Sequence, residues 1–387
     1  MPVADKPPRW SPLSKKVCPV FKARLPLALS AILAAAMGTA HAAAAQPPAP
    51  MSALVNQRWP VKVVIVTTYE NGEDTGDRAG ELQLWAEREK LTKRIEFPGG
   101  PHDLLTNDDH SVVAIVTGIG LVNAGASLMA LALDPRFDVS KAYWLVAGIA
   151  GVDPEVGAIG DAAWANYVVN DFAISFDRKD APADWPYGIL PFRSTRPNQL
   201  PDVKMSFGPF DRYAQLFPLN QRLTKWAYEL TKDTPLYYTP EVAEFEKPWT
   251  GFPEAQRPPK VMIGDSFASN YFWHGQTLTK WARDWVRLHS DGKARFVMSN
   301  TEDSAIAAAV ARMGRMGVIK GDRLMVLRTA SNYTMAHPGQ SDYDSWRQEF
   351  PFDGAPAFEA AYRVGSRVVH EITDHWDRYE DQTPGAD

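Results

Sequence analysis

Four short stretches set flexible or polar residues directly after apolar runs, the places where a buried strand would end and present side chains to a ligand. They are "TGIGLVNAG" (Thr117 to Gly125), "IGDSFASNYFWHG" (Ile263 to Gly275), "SNTEDSAIAAAV" (Ser299 to Val310) and "LRTASNYTMAHPG" (Leu327 to Gly339). Each has a chemical reading beside a plainer one. The glycine turn at Thr117 and Gly118 can cradle an anion or a sugar oxygen at a helix N-terminus. It can equally be a tight turn, because it has neither G-x-G-x-x-G nor P-loop spacing. Glu302 offers two carboxylate oxygens that suit a pair of sugar hydroxyls, whereas acids in a first helical turn also serve the dipole and its free N–H groups. Phe267 can stack on a planar base, with Asp265 and His274 polar nearby, or can belong to the core. Ser331 and Asn332 satisfy turn geometry, or they face a ligand, since open α/β sheets bind beyond the carboxyl ends of their strands.

Other chemistries find no support in the sequence. The histidines lack metal-ligand spacing, H-E-x-x-H and G-x-S-x-G are missing, and neither a metal nor a cofactor is expected. The one cysteine, Cys18, stands in a segment expected to be removed, which excludes thiolate chemistry from the mature chain.

That segment is residues 1–42. Lys15, Lys16, Lys22 and Arg24 precede an apolar run from Leu25 to Ala36, followed by small residues around Ala40 and Ala42. This is the pattern of a secretory signal cut near Ala42, and the run is shorter than the roughly 20 residues that span a bilayer. A flexible leader is expected over 43–58. Cleavage removes six Lys/Arg and one Asp, moving the net charge from −5 to about −10. An acidic secreted or periplasmic protein is a poor partner for nucleic acid, and no later run is long enough for a membrane span.

The elements that must position the four stretches follow an α/β rhythm. Strands are expected at Val61–Val66, Val112–Val116, Ala142–Val146, Gly160–Val169, Lys260–Ile263, Arg295–Met298 and Arg323–Leu327. Helices are expected at Arg78–Leu91, Leu121–Leu133, Gly275–Leu288, Thr301–Met316 and Ala357–His375. Alternation of this kind implies a three-layer α/β/α domain over 59–387. The stretch 178–259 breaks the rhythm: it is rich in Pro, Trp and Tyr, has one helical island at Asn220–Thr231, and reads as an insertion packed over the core or a lid.

Taken together, "TGIGLVNAG", "AGIAGVDPEVGAIGD", "LFPLNQRLTKWAYEL", "FWHG", "TEDSA" and "LRTASNYTMAHPG" resemble the purine nucleoside phosphorylase and methylthioadenosine nucleosidase superfamily, and most closely its purine nucleoside permease branch. The resemblance runs from about Val61 to Trp376. It implies the nucleoside phosphorylase-like fold and cleavage of an N-ribosidic bond. By the same resemblance Glu302 holds the ribose 2′- and 3′-hydroxyls, Phe267 stacks on the purine, and Thr117 with Gly118 lines the nucleophile side. Asn332 falls where the nucleosidases place a proton-donating Asp. An amide hydrogen-bonds a base but cannot protonate it, which favours 6-oxopurines or a loss of catalysis.

A phosphorylase would need arginines around phosphate. The loop after the first strand carries Glu70, Glu73, Asp74, Asp77 and Glu81 against Arg78 alone, so water is the expected acceptor, with Glu70 orienting it. The expected function is therefore hydrolysis of purine nucleosides. The alternative is a binding component that delivers intact nucleoside to an inner-membrane transporter. Superfamily members also imply a homo-oligomer.

Overall fold

In β1 (Val63–Thr67) every residue is buried, and alternate side chains enter two different cores, as the period of a strand requires. Val64 and Val66 pack with helical residues Leu128, Leu131, Ile306 and Val310. Val63 and Ile65 pack on the other side with Trp85, Leu223, Val364 and Val368. A strand covered on both faces reads as a continuous apolar run rather than an alternating one, which is what "VVIVT" shows. The computed structural model describes residues 58–201, 215–348 and 351–385. The expected export signal and nearly all of the expected leader lie outside the described residues.

Among the described residues, twelve strands form the main sheet. After β1 come β2 (Lys93–Ile95), β3 (Leu104–Thr106), β4 (Val112–Val116), β5 (Tyr143–Val152) and β6 (Ala162–Trp164). Then follow β7 (Tyr167–Asn170), β8 (Leu216–Pro218), β9 (Val261–Ile263), β10 (Asp265–Ala268), β11 (Phe296–Asn300) and β12 (Leu324–Tyr333). β5 is the branch point. It pairs in parallel with β1 over Tyr143–Val146 and with β12 from Trp144 to Val152. Its last residues also meet β11 in the antiparallel sense. One arm then runs β11-β10-β7-β8 and the other β12-β6-β9.

Two helical layers cover this sheet. α2 (Leu121–Ala132) and α6 (Asp303–Arg315) lie on one face; α1 (Gln83–Arg88), α3 (Gln221–Thr231) and α8 (Ala355–Asp374) lie on the other. α5 (Gln276–His289) packs Trp281 and Trp285 against the β10–β11 arm. The short helices α4 (Pro240–Glu246), α7 (Asp342–Trp346) and α9 (Trp376–Tyr379) complete the chain. The three-layer α/β/α expectation holds.

The differences from expectation lie at strand ends. β5 and β12 continue six residues past the expected stops at Val146 and Leu327, carrying "AGIAGV" and "RTASNY" inside the sheet. They stay together because Ala147, Gly148, Ala150 and Gly151 are small enough to lie beside the polar side chains of β12. β12 then bulges at Ser331, where its pairing slips between Ala330 and Asn332; such bulges re-aim side chains next to functional sites. The expected helix Arg78–Leu91 shortens to α1, for reasons that lie in Glu70.

The 178–259 stretch divides. Ile189–Pro191 pairs with Ala173–Ser175, and Leu216–Pro218 is the sheet edge β8. α3 is capped by the Asn220 side chain, which accepts from the N–H groups of Arg222 and Leu223, and it sends Leu223 and Ala227 into the core beside α8. This part is core layer, not cover. Residues 202–214 lie outside the described residues.

Two glycines of β5 set the spacing of the strand ends. A methyl group on Gly148 would collide with the guanidinium of Arg328 and lie 3.0 Å from the Glu81 carboxylate; one on Gly151 would lie 3.1 Å from the Asn332 amide. We expect Gly148→Ala to destabilise the fold by about 1–3 kcal/mol, the usual cost of overpacking, measured by urea denaturation. Unchanged stability would mean that Arg328 has room to move.

Candidate ligand site at the strand ends

β12 carries an arginine directly after the apolar run Leu324–Leu327, and a charge buried there must be paired. Arg328 donates from Nε and Nη2 to Asp303 Oδ1 at 3.0 and 2.6 Å, from Nη2 to Glu302 Oε2 at 3.1 Å, and from Nη1 to the Ile149 carbonyl at 2.9 Å. Glu81 Oε1 lies 3.9 Å from Nη1. Burial works against the guanidinium charge, but Asp303, Glu302 and Glu81 outweigh it and hold the group protonated.

The start of α6 supplies two of these carboxylates because a third side chain does the capping. Asn300 Oδ1 accepts from the N–H groups of Glu302 and Asp303 at 3.1 and 3.0 Å, and Glu302 makes no side-chain cap bond. Asp303 is held by the Ser266 hydroxyl at 2.6 Å and the Asn300 amide at 3.0 Å. The Glu302 carboxylate is left at the strand end. There it accepts from Gly120 N–H at 3.0 Å, from the Thr301 hydroxyl and N–H, and from Arg328.

Glu81 is the third carboxylate. It accepts from the Thr68 N–H at 2.6 Å, the Thr68 hydroxyl at 2.9 Å and the Ile149 N–H at 2.7 Å. Burial pushes its pKa up to about 7, Glu302 adds to the rise, and Arg328 opposes it. A carboxyl that titrates near neutrality can take a proton from water.

Glu81, Glu302, Arg328, Asn332, Ile119 and Phe272 line a cavity of about 130 Å³. Asn332 is also in the wall of a second cavity of about 160 Å³, with Trp249, His274, Tyr333, His337 and Gln340. The cleft therefore has an acidic end and an end of aromatic rings, amides and imidazoles, meeting at Asn332. Among the described residues, no group of three or more His, Cys, Asp or Glu is placed to hold a metal ion.

Of the residues expected from the sequence, Glu302 and Asn332 share the acidic cavity, and His274 lines the second. Thr117 and Gly118 act one step removed. Thr117 is buried and donates its hydroxyl to the Gly118 carbonyl, while the turn they form, with Gly118 at φ 83°, brings Gly120 N–H to Glu302. Three expectations need correction. Phe267 is fully buried among Trp281, Trp273 and Phe296, at ring distances of 5.0 to 6.1 Å, so it stacks on protein. The aromatic that its loop does bring to the cavity is Phe272, half exposed. Asp265 accepts from the backbone N–H groups of Asn166, Tyr167 and Arg295 and ties strands together. Glu70 accepts from the N–H groups of Asn71, Gly80, Leu82 and Gln83. Its carboxylate folds the acidic loop and shortens α1, while Glu81, eleven residues on, is the acid in the cavity.

The fold and its cleft define a three-layer α/β protein with a carboxylate-lined cavity at the carboxyl ends of its strands. The chain belongs to the purine nucleoside permease family, whose model matches residues 60–384. A purine nucleoside permease of Candida albicans is 28% identical over 306 residues, 77% of this chain and 73% of its own. Among solved structures, the 5′-methylthioadenosine/S-adenosylhomocysteine nucleosidase of Neisseria meningitidis aligns over 80% of this chain and 99% of its own, at 15% identity and a TM-score of 0.46. That of Helicobacter pylori aligns over 81% and 100%, at 15% identity and 0.47. No helix among the described residues is long and apolar enough to cross a membrane.

The raised pKa of Glu81 has a consequence for stability. The folded state keeps a proton that the unfolded chain releases above about pH 4.5. The contribution is thus full below that pH and is lost as pH rises through about 7. Glu246, which burial also pushes to about 7, acts in the same sense. We expect Glu81→Gln to flatten the decline between pH 5 and 7.5 by on the order of 3 kcal/mol, read from urea midpoints. A wild-type and variant difference that does not change with pH would place the Glu81 pKa elsewhere.

Proposed function

We propose that the cleft binds a purine nucleoside and that the protein cleaves its N-ribosidic bond with water. The ribose diol lies on Glu302, replacing the Thr301 hydroxyl and Gly120 N–H as donors to its carboxylate. The base passes Asn332 into the second cavity, where flat rings and amides suit a heterocycle. Glu81 takes a proton from the water whose oxygen bonds to C1′, the C1′–N bond breaks, and the departing base leaves with the bonding pair and takes a proton from solvent. The observation that carries this reading is the Glu81–Arg328–Glu302 cluster facing one cavity.

The choice of acceptor follows from the same cluster. Arg328 lines the cavity, but its guanidinium is taken up by Asp303, Glu302 and a backbone carbonyl, and among the described residues the lining holds no other arginine or lysine to pair with phosphate. Glu81 and Glu302 repel a dianion but accept hydrogen bonds from water.

A second reading has one observation in its favour. The residue that meets the base at position 332 is an amide, and an amide has no proton to give. On that reading the protein, exported by its N-terminal segment, hands intact nucleoside to an inner-membrane transporter, in keeping with the permease name of its family.

The test is chromatography of purified protein after incubation with inosine, guanosine and adenosine, with and without phosphate. Free base in the absence of phosphate is expected. Base released only with phosphate would overturn the acceptor assignment, and intact nucleoside with a raised melting temperature would establish the binding component. Glu302→Ala is expected to abolish binding, read by calorimetry. If binding survives and only stability falls by about 0.5–2 kcal/mol, the scale of a lost cap, Glu302 is structural. Asn332→Asp is expected to speed adenosine turnover.

A further inference from the structure

Buried polar groups in folded proteins are almost always hydrogen-bonded. Among the described residues, His274 is the imidazole with both ring nitrogens buried and without a partner. It lies in the wall of the second cavity with Asn332, and its position is built into the fold. The next residue, Gly275, donates its N–H to the Thr334 carbonyl at 2.8 Å. The Thr279 hydroxyl lies 3.1 and 3.0 Å from the Thr334 carbonyl and hydroxyl. The start of α5 is thereby clamped to Thr334, just past the end of β12 and two residues beyond Asn332. Burial lowers the pKa of His274, with Asp342 opposing, so the ring is neutral at pH 7 and has one N–H to donate. A half-turn of an imidazole exchanges nitrogens for carbons at nearly the same positions, which lets His274 offer that N–H to the cavity without moving its backbone.

The orientation of Asn332 is also fixed. Its Nδ2 lies 3.2 Å from the Tyr333 carbonyl, which can only accept, and its Oδ1 accepts from the Ser331 hydroxyl at 2.9 Å. The second hydrogen on Nδ2 is therefore available to a ligand.

We propose that His274 is a base-recognition residue, which with Asn332 presents two N–H donors to the adjacent 6-oxo and N7 acceptors of a 6-oxopurine nucleoside. This rests on the nucleoside reading above. A 6-aminopurine turns N–H groups toward one of those donors and is disfavoured, because a site built to donate is left unpaired.

The experiment compares inosine, adenosine and 7-deazainosine on wild type, His274→Phe and His274→Gln by calorimetry, or by kcat/KM where the nucleoside is turned over. Wild type is expected to favour inosine over adenosine by about tenfold or more. His274→Phe is expected to bring that ratio below about threefold, and His274→Gln, which restores an N–H, to recover most of it. Discrimination against 7-deazainosine also reads the N7 contact and is expected to survive in His274→Gln. Two results overturn the proposal: an inosine preference unchanged in His274→Phe, or equal weakening of all three ligands in both variants with a lowered melting temperature, which would make His274 a packing residue. If wild type binds none of the three, it is the nucleoside reading itself that fails.

Discussion

A single guanidinium holds the cleft together. Arg328 is buried between Asp303, Glu302 and Glu81, where an unpaired guanidinium would cost many kcal/mol. Removing the arginine would leave three buried carboxyl groups without their cation, a loss of roughly 3–5 kcal/mol for a broken buried pair. The rest of the site is arranged around this requirement. Gly148 is a glycine because the guanidinium occupies the space of its side chain. Asn300 caps α6 so that the first two acids of the helix can turn to Arg328. Burial raises the pKa of Glu81, and Arg328, 3.9 Å away, offsets that rise only in part.

The sheet serves the same end. Three strand ends, those of β5, β11 and β12, must converge for these groups to meet, and they do so because β5 is long enough to pair with β1 at its start and with β11 at its end. The bulge at Ser331 lets β12 keep its pairing with β5 while turning Asn332 into the wall between the two cavities. One side chain thus belongs to both ends of the cleft, a position suited to a ligand with two chemically different halves joined by one bond.

Much of this was legible in the sequence, and the reasons for the rest are physical. Fold class followed from β-branched runs alternating with helical patterns, because strands covered on both faces cannot hide their composition. Glu302 and Asn332 stood out as polar residues directly after such runs. Phe267 was misplaced because "DSFASNYFW" has several aromatics, and only packing decides that Phe267 points into the Trp281 cluster while Phe272 reaches the cavity. Arg328 carries a signal of its own: an arginine within "LMVLRTAS" needs buried acids, and the acids at 302 and 303 are the candidates. Strand lengths were underestimated because glycine and alanine in "AGIAGV" look like a turn, yet here they make room for large neighbours.

Glu70 and Glu81 show most plainly what a sequence cannot weigh. They stand in one acidic loop, and proximity to the strand favours Glu70. Both carboxylates accept backbone hydrogen bonds, so donors alone do not separate them. Burial raises the pKa of both, but Glu70 is half-exposed and has four N–H partners to stabilise its charge. Glu81 is buried beside Glu302, with only two N–H groups, one hydroxyl and a distant arginine in compensation. The first is therefore suited to organise the loop through its four N–H partners, the second to exchange a proton near neutral pH. The two roles are coupled: Glu70 binds the N–H groups of Gly80 and Leu82, on either side of Glu81, and so fixes the backbone from which Glu81 reaches the cavity.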